Sequence, residues 1–247
     1  AMTLAMVLGP LGPRALGTST VMPYLIASLL SIINIALLLF TFRETHPPET
    51  DTLPFVQRLR LFTPTVVLLL FAFLCGELVW SGYYQAAYLG FLSHEFHTVP
   101  AQHDRFIAEV GLWMCIGLTL VYRLWLMIAN TRTITLISLL CFGTGFIVLF
   151  YSNTLAHHWL IMPMIALTFG TFYPSILDLI SNHTPKHSQG WMLGVASQLL
   201  GLAWMLTAFV HSYPSTWILG ACSALCVITL AALGMSAYTQ SNQATDT

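Results

Sequence analysis

TVVLLLFAFLCGELVWSGYYQAAYL, residues 65–89, is an apolar run of 25 residues with a single charge, Glu77, at its centre. A helix rises about 1.5 Å per residue, so this stretch is long enough to cross the ~30 Å hydrocarbon core of a bilayer. A carboxylate at that depth costs about 2.5–3.5 kcal/mol even on the lenient insertion scale measured for Asp. Helical spacing from Glu77 leads forward to Trp80, Ser81, Tyr84, Gln85 and Tyr88, and backward to Leu74, Phe73 and Leu70. One face therefore carries a polar and aromatic stripe that lipid does not reward. The stretch reads as a membrane helix with something to hold.

The rest of the chain agrees. Of 247 residues, 57% are hydrophobic and only 7% charged, and the mean hydropathy is +0.78. Soluble domains run near 25% charged, so an all-α polytopic membrane protein is expected. Eight basic and nine acidic residues leave no excess charge for a nucleic-acid partner. Cys75, Cys115, Cys141, Cys222 and Cys226 all fall inside apolar runs, which argues against a disulfide framework. Cys222 and Cys226 are one helical turn apart, and packing explains them better than metal binding.

Seven full spans are predicted, at 21–42, 65–89, 107–129, 134–151, 158–180, 191–211 and 216–238. Ahead of them, residues 1–17 reach only about 25 Å as a helix, and Pro10 and Pro13 interrupt them. They read as the tail of a helix whose beginning is missing. Residues 43–64 form a polar, Pro-rich linker, and 239–247 are expected to be a disordered tail. With the linker in the cytoplasm, Arg43, Arg58, Arg60, Arg123, Arg132 and Lys186 lie on that side, against Arg14 and Arg105 on the other. The positive-inside rule is then satisfied with a cytoplasmic C-terminus, and the Glu77 stripe falls in the outer half of the membrane.

A second stripe lies on the 158–180 span: Thr168, Thr171, Ser175 and Asp178 share a face. Pro174 interrupts it and frees a backbone carbonyl, a place for a gate. The plainer reading is a helix contact with an interfacial carboxylate. Gly190, Gly194, Ser197 and Gly201 make a small-residue stripe of the kind that lets helices approach closely. Asn34 and Gln198 are expected to hydrogen-bond between helices, and Glu109 and Arg123 to lie at the interfaces. His94, Glu95, His97, His103 and Asp104 read as solvated loop residues, as do His183 and His187. There is no HExxH, P-loop, GxSxG or GxGxxG pattern. No cofactor, metal or catalytic residue is expected.

Two further segments carry a recognisable pattern. Residues 8–45 contain LGPLG and then PYLIASLLSIINIALLLFTFRET, with Gly9, Pro10, Gly12, Pro23, Asn34, Glu44 and Thr45 as the key positions. Residues 170–201, GTFYPSILDLISNHTPKHSQGWMLGVASQLLG, supply Pro174, Pro185, Gln189, Gly190 and Gly194. Together they resemble the major facilitator superfamily, drug–proton antiporter branch, from the end of helix five through helix twelve. The resemblance implies that residues 1–42 end the N-terminal half, 43–64 join the halves, and 65–238 form the six-helix C-terminal half. Three departures stand out. The Gly-rich Asp-Arg loop signature lies outside the chain, its echo is reduced to Arg123 and Arg132, and Pro13 replaces a glycine.

The function implied is secondary active transport of small solutes by alternating access, most naturally proton-coupled export of drugs or amphipathic compounds. Glu77 would be the protonatable group, because the membrane interior disfavours its charged form. Trp80, Ser81, Tyr84, Gln85 and Tyr88 would line the cavity. The partners expected are the lipid bilayer, a small-molecule substrate, protons and the missing N-terminal helices, in the inner (plasma) membrane of a bacterium. Two other readings stay open: a non-transporting membrane fragment or split-transporter subunit, and an intramembrane enzyme using Glu77 with Asp178.

Overall fold

The computed structural model describes residues 60–245 and positions 28, 29, 32, 33 and 36. The expected partial helix, the bulk of the 21–42 span with Asn34, and the linker up to residue 59 lie outside the described residues. Within them the chain is helical throughout. Helix α1 (Pro64–Ala86) passes through a π turn (Ala87–Phe91) into the short α2 (Leu92–His94). Helix α3 (Pro100–Ile116) likewise passes through a π turn (Gly117–Val121) into α4 (Tyr122–Leu126). Then come α5 (Thr131–Tyr151) and α6 (Leu155–Asn182). A 3-10 turn (Lys186–Ser188) leads into α7 (Gln189–Leu206), and a second (Thr207–Ser212) leads towards α8 (Ser215–Thr245).

Six of these units, 21 to 28 residues long, have the length and apolarity to cross a membrane. They fall where the sequence places them, with ends shifted by a few residues. The second starts by Gln102 rather than 107 because Pro100 opens the helix at its first position. The last helix runs to Thr245, into the stretch expected to be a disordered tail. Residues 239–245 contain no Gly or Pro, so nothing in them stops a helix.

Polar side chains start the helices. Thr63 accepts from the Val66 amide (3.3 Å), Asn130 from that of Thr133 (2.8 Å) and Thr154 from that of His157 (3.4 Å). Each satisfies an amide that the helix itself leaves without a partner. Asn130→Ala is therefore expected to lower stability by about 1 kcal/mol, read as a shift in the denaturation midpoint of the detergent-solubilised protein.

Helix α1 is the hub. It packs on α8, α7 and α6, while α6 packs on α5 and α3, and α5 on α8. The contacts are dense in aromatics: Phe73, Phe142, Phe146, Phe169 and Phe172 are all buried in one continuous core. Two glycines fix the crossing of α3 with α6. A Cβ on Gly117 would run into the Leu167 carbonyl, and one on Gly170 into the Met114 carbonyl. By contrast, a Cβ on Gly190, Gly194 or Gly201 would meet nothing within 4 Å. The small-residue stripe of α7 thus makes no close helix contact among the described residues, and Gln198 on the same helix is exposed. The described helices supply no partner for the packing expected there, and most of the 21–42 span lies outside the described residues.

Candidate functional site

Glu77 lies midway along the hub helix. It is 1% exposed, and its Oε1 has no hydrogen-bond partner among the described residues. Gly76, one residue earlier, lets the Phe172 ring of α6 come close: a Cβ at position 76 would sit 2.5 Å from that ring. One turn further on, Trp80 is stacked on Phe169 of α6, with ring centroids 4.5 Å apart and planes 7° apart. Its Nε1 is also buried and without a partner among the described residues. Buried polar groups are nearly always paired. Here an unpaired donor and an unpaired acceptor lie one turn apart on the same helix. Tyr173 of α6 lies within the electrostatic reach of Glu77.

The stripe continues as a hydrogen-bonded strip against α7. Ser81 Oγ donates to the Glu77 carbonyl (2.6 Å), and Thr207 Oγ1 meets Ser81 Oγ at 3.0 Å. Gln85 Nε2 donates to Thr207 Oγ1 (2.8 Å) and to the Trp204 carbonyl (3.0 Å). Tyr84 sits between Trp80 and Trp204, at 6.2 and 5.7 Å between ring centroids. Trp80 and Ser81 are fully buried, whereas Tyr84 and Gln85 are half-buried. The side chain of Tyr88 lies outside the described residues. Thr207 also borders a groove of about 280 Å³ between α1 and α8, lined almost wholly by apolar groups such as Leu78, Trp217 and Leu225.

The second predicted stripe is built differently. Thr168, Thr171 and Ser175 are buried and turn their hydroxyls onto carbonyls of their own helix. Ser138 of α5 donates to Thr171 Oγ1 at 3.0 Å. Asp178 accepts from Thr131 Oγ1, at the first residue of α5 (2.8 Å). Pro174 and Pro163 both lie inside α6, which stays helical through them. Asp178 is four residues from the end of α6, and Glu77 is thirteen residues into α1 from the same end of the bundle. By helix rise the two carboxyls sit at levels about 13 Å apart, which leaves an enzyme that uses them as a pair without its geometry.

Sequence reasoning missed a second polar cluster. Tyr83 and His158 are both 0% exposed, and Tyr83 Oη lies 2.8 Å from His158 Nδ1. His158 Nε2 lies 2.8 Å from Asn153 Oδ1, and Asn153 Nδ2 donates to Ser215 Oγ (2.6 Å). Ser215 in turn donates its amide (2.8 Å) and its hydroxyl to the two carboxylate oxygens of Glu95. Glu95 is therefore anchored, not simply a solvated loop residue. His103 and Asp104, expected in the same loop, sit on the first turns of α3. The paired histidines 157 and 158 at the head of a span were the available signal, since a histidine inside a membrane helix needs partners.

Among the described residues, no three His, Cys, Asp or Glu side chains are grouped to hold a metal ion. The six long apolar helices define a polytopic membrane protein. A family model of the Major Facilitator Superfamily matches residues 1–208. The chain belongs to that superfamily. No curated individual relative matches it significantly.

Proposed function

We propose that this chain forms part of a proton-coupled transporter that exports drugs or amphipathic solutes by alternating access. Membership of the superfamily supports small-solute transport across a membrane. The single observation behind the finer reading is the buried carboxyl of Glu77, whose Oε1, like the nearby Trp80 Nε1, has no partner among the described residues. A buried carboxyl with one oxygen unpaired among the described residues can gain and lose a proton as its surroundings change. That is what coupling requires. Trp80 and Ser81 form a layer behind the half-buried Tyr84 and Gln85, which would meet the solute together with Tyr88. The aromatic surround suits an amphipathic or cationic solute. The chain works in the plasma membrane with its C-terminus in the cytoplasm and has no catalytic chemistry of its own.

The test uses vesicles carrying the product of the complete reading frame. A pH gradient imposed across the membrane is expected to drive accumulation of amphipathic cations, and a protonophore to collapse it to the passive level. Accumulation indifferent to the gradient would point to the split-subunit or non-transporting reading instead.

A further inference from the structure

The buried chain from Tyr83 to Glu95 has a direction. Asn153 Oδ1 only accepts, so His158 Nε2 carries the proton, and in the neutral ring Nδ1 then accepts from the Tyr83 hydroxyl. Asn153 donates onward to Ser215, and Ser215 donates to Glu95. Every bond points outward, towards one carboxylate. The five residues come from α1, the turn after α2, the α5–α6 connection, α6 and the first position of α8. Tyr83, His158 and Ser215 are buried, and Glu95 alone is exposed. The anion also sits at the N-terminus of α8, where the helix dipole favours negative charge. The turn that presents it is fixed: His97 adopts a left-handed backbone (φ 50°), and Thr98 returns its amide (3.0 Å) and hydroxyl (2.6 Å) to the Leu92 carbonyl.

We propose that Glu95 and this chain form a second proton-binding site, distinct from Glu77, that latches α1 and α6 to the head of α8 and loosens when Glu95 is protonated. Protonation removes the charge that holds both Ser215 donors and the α8 terminus. An asparagine amide does not pass protons on, so the chain is a latch and not a wire. Its far end, Tyr83, is six residues beyond Glu77 on the same helix, about 9 Å along it. Loosening therefore reaches the segment that carries the coupling carboxyl.

Several other titratable and charged groups surround the latch. His94 and His97 share its turn. From α6 come His158 itself and His157, whose Nδ1 bonds Ser152 and Thr154. From α8, Cys222 lies beside Tyr83. From α3, Arg105 lies over the Trp159 ring at 5.7 Å. The test must separate Glu95 from all of these.

Amide hydrogen exchange of the full chain in lipid nanodiscs does so without any transport substrate. Its failure is thereby distinguishable from failure of the Glu77 reading. At about pH 7.5, Glu95→Gln is expected to speed exchange in the Ser215–Cys222 segment about tenfold over the parent, the effect of losing charged hydrogen bonds. At about pH 3, below the ordinary carboxylate values of about 3.9 and 4.3, the ratio is expected to fall towards one, because the parent has opened too. Intrinsic exchange chemistry cancels in the ratio. A ratio near one at both pH values, or a tenfold ratio that persists at low pH, overturns the proposal. Should the variant fail to fold, the parent alone decides. After correction for intrinsic rates, its protection in Ser215–Cys222 must drop with pH while that of α5 stays constant, and a flat profile overturns the latch.

Discussion

Glu77→Gln is expected to reduce proton-driven accumulation in vesicles to background while leaving solute exchange across the same membrane intact. Glutamine has the shape of a protonated glutamate but cannot release a proton. The side chain is 1% exposed with one oxygen unpaired, so the substitution neither opens a cavity nor breaks a hydrogen bond to that oxygen. It also removes a group whose charged form the bilayer interior penalises by about 2.5–3.5 kcal/mol on the insertion scale for Asp, so insertion should be unharmed. A transport defect is then a defect of function and not of insertion. Counterflow, in which labelled solute exchanges for unlabelled with no pH gradient, should persist because it needs solute binding and reorientation but no release of a proton. Unchanged gradient-driven accumulation in the variant would remove Glu77 from the mechanism. Loss of counterflow together with accumulation would make it a residue that binds solute and not one that couples protons.

The largest stability effect is expected at the α3–α6 crossing. The Cβ of any residue at 170 would collide with the Met114 carbonyl and lie 3.1 Å from the Leu118 amide nitrogen. These are backbone atoms on a helix, which cannot swing aside as a side chain does. Gly170→Val is expected to cost about 3 kcal/mol or more by overpacking, seen as a lowered unfolding midpoint and loss of monodisperse protein in detergent. Gly194→Ala is the matched control. No described atom lies within 4 Å of a Cβ there, so the change should be neutral or stabilise by up to about 1 kcal/mol through helix propensity. Equal damage from both would mean that glycine at 170 has no special role in the crossing.

These two glycines show what a sequence reading captures in a membrane chain and what it does not. The six described spans were legible because bilayer thickness imposes a length and apolarity that any reader can count. Glu77 was legible because a charge in such a span is costly. Which face of a span meets a helix and which meets lipid was not legible, since both environments are apolar and hydrophobic periodicity disappears. Regular small-xxx-small spacing drew attention to α7, where the glycines meet no described neighbour, and away from Gly117 and Gly170, which belong to no such regular run of glycines. His158 was missed for a related reason. Its partner Tyr83 is 75 residues away, and pairing at that range belongs to the packing of helices rather than to any local pattern.

The Phe172 ring fills the space that a side chain at position 76 would need, and four residues later Trp80 lies flat on Phe169. Together they act like meshed teeth: α1 cannot roll about its own axis without carrying α6 along. If Glu77 takes up a proton as proposed, the event acts on a coupled pair of rods and not on one helix alone.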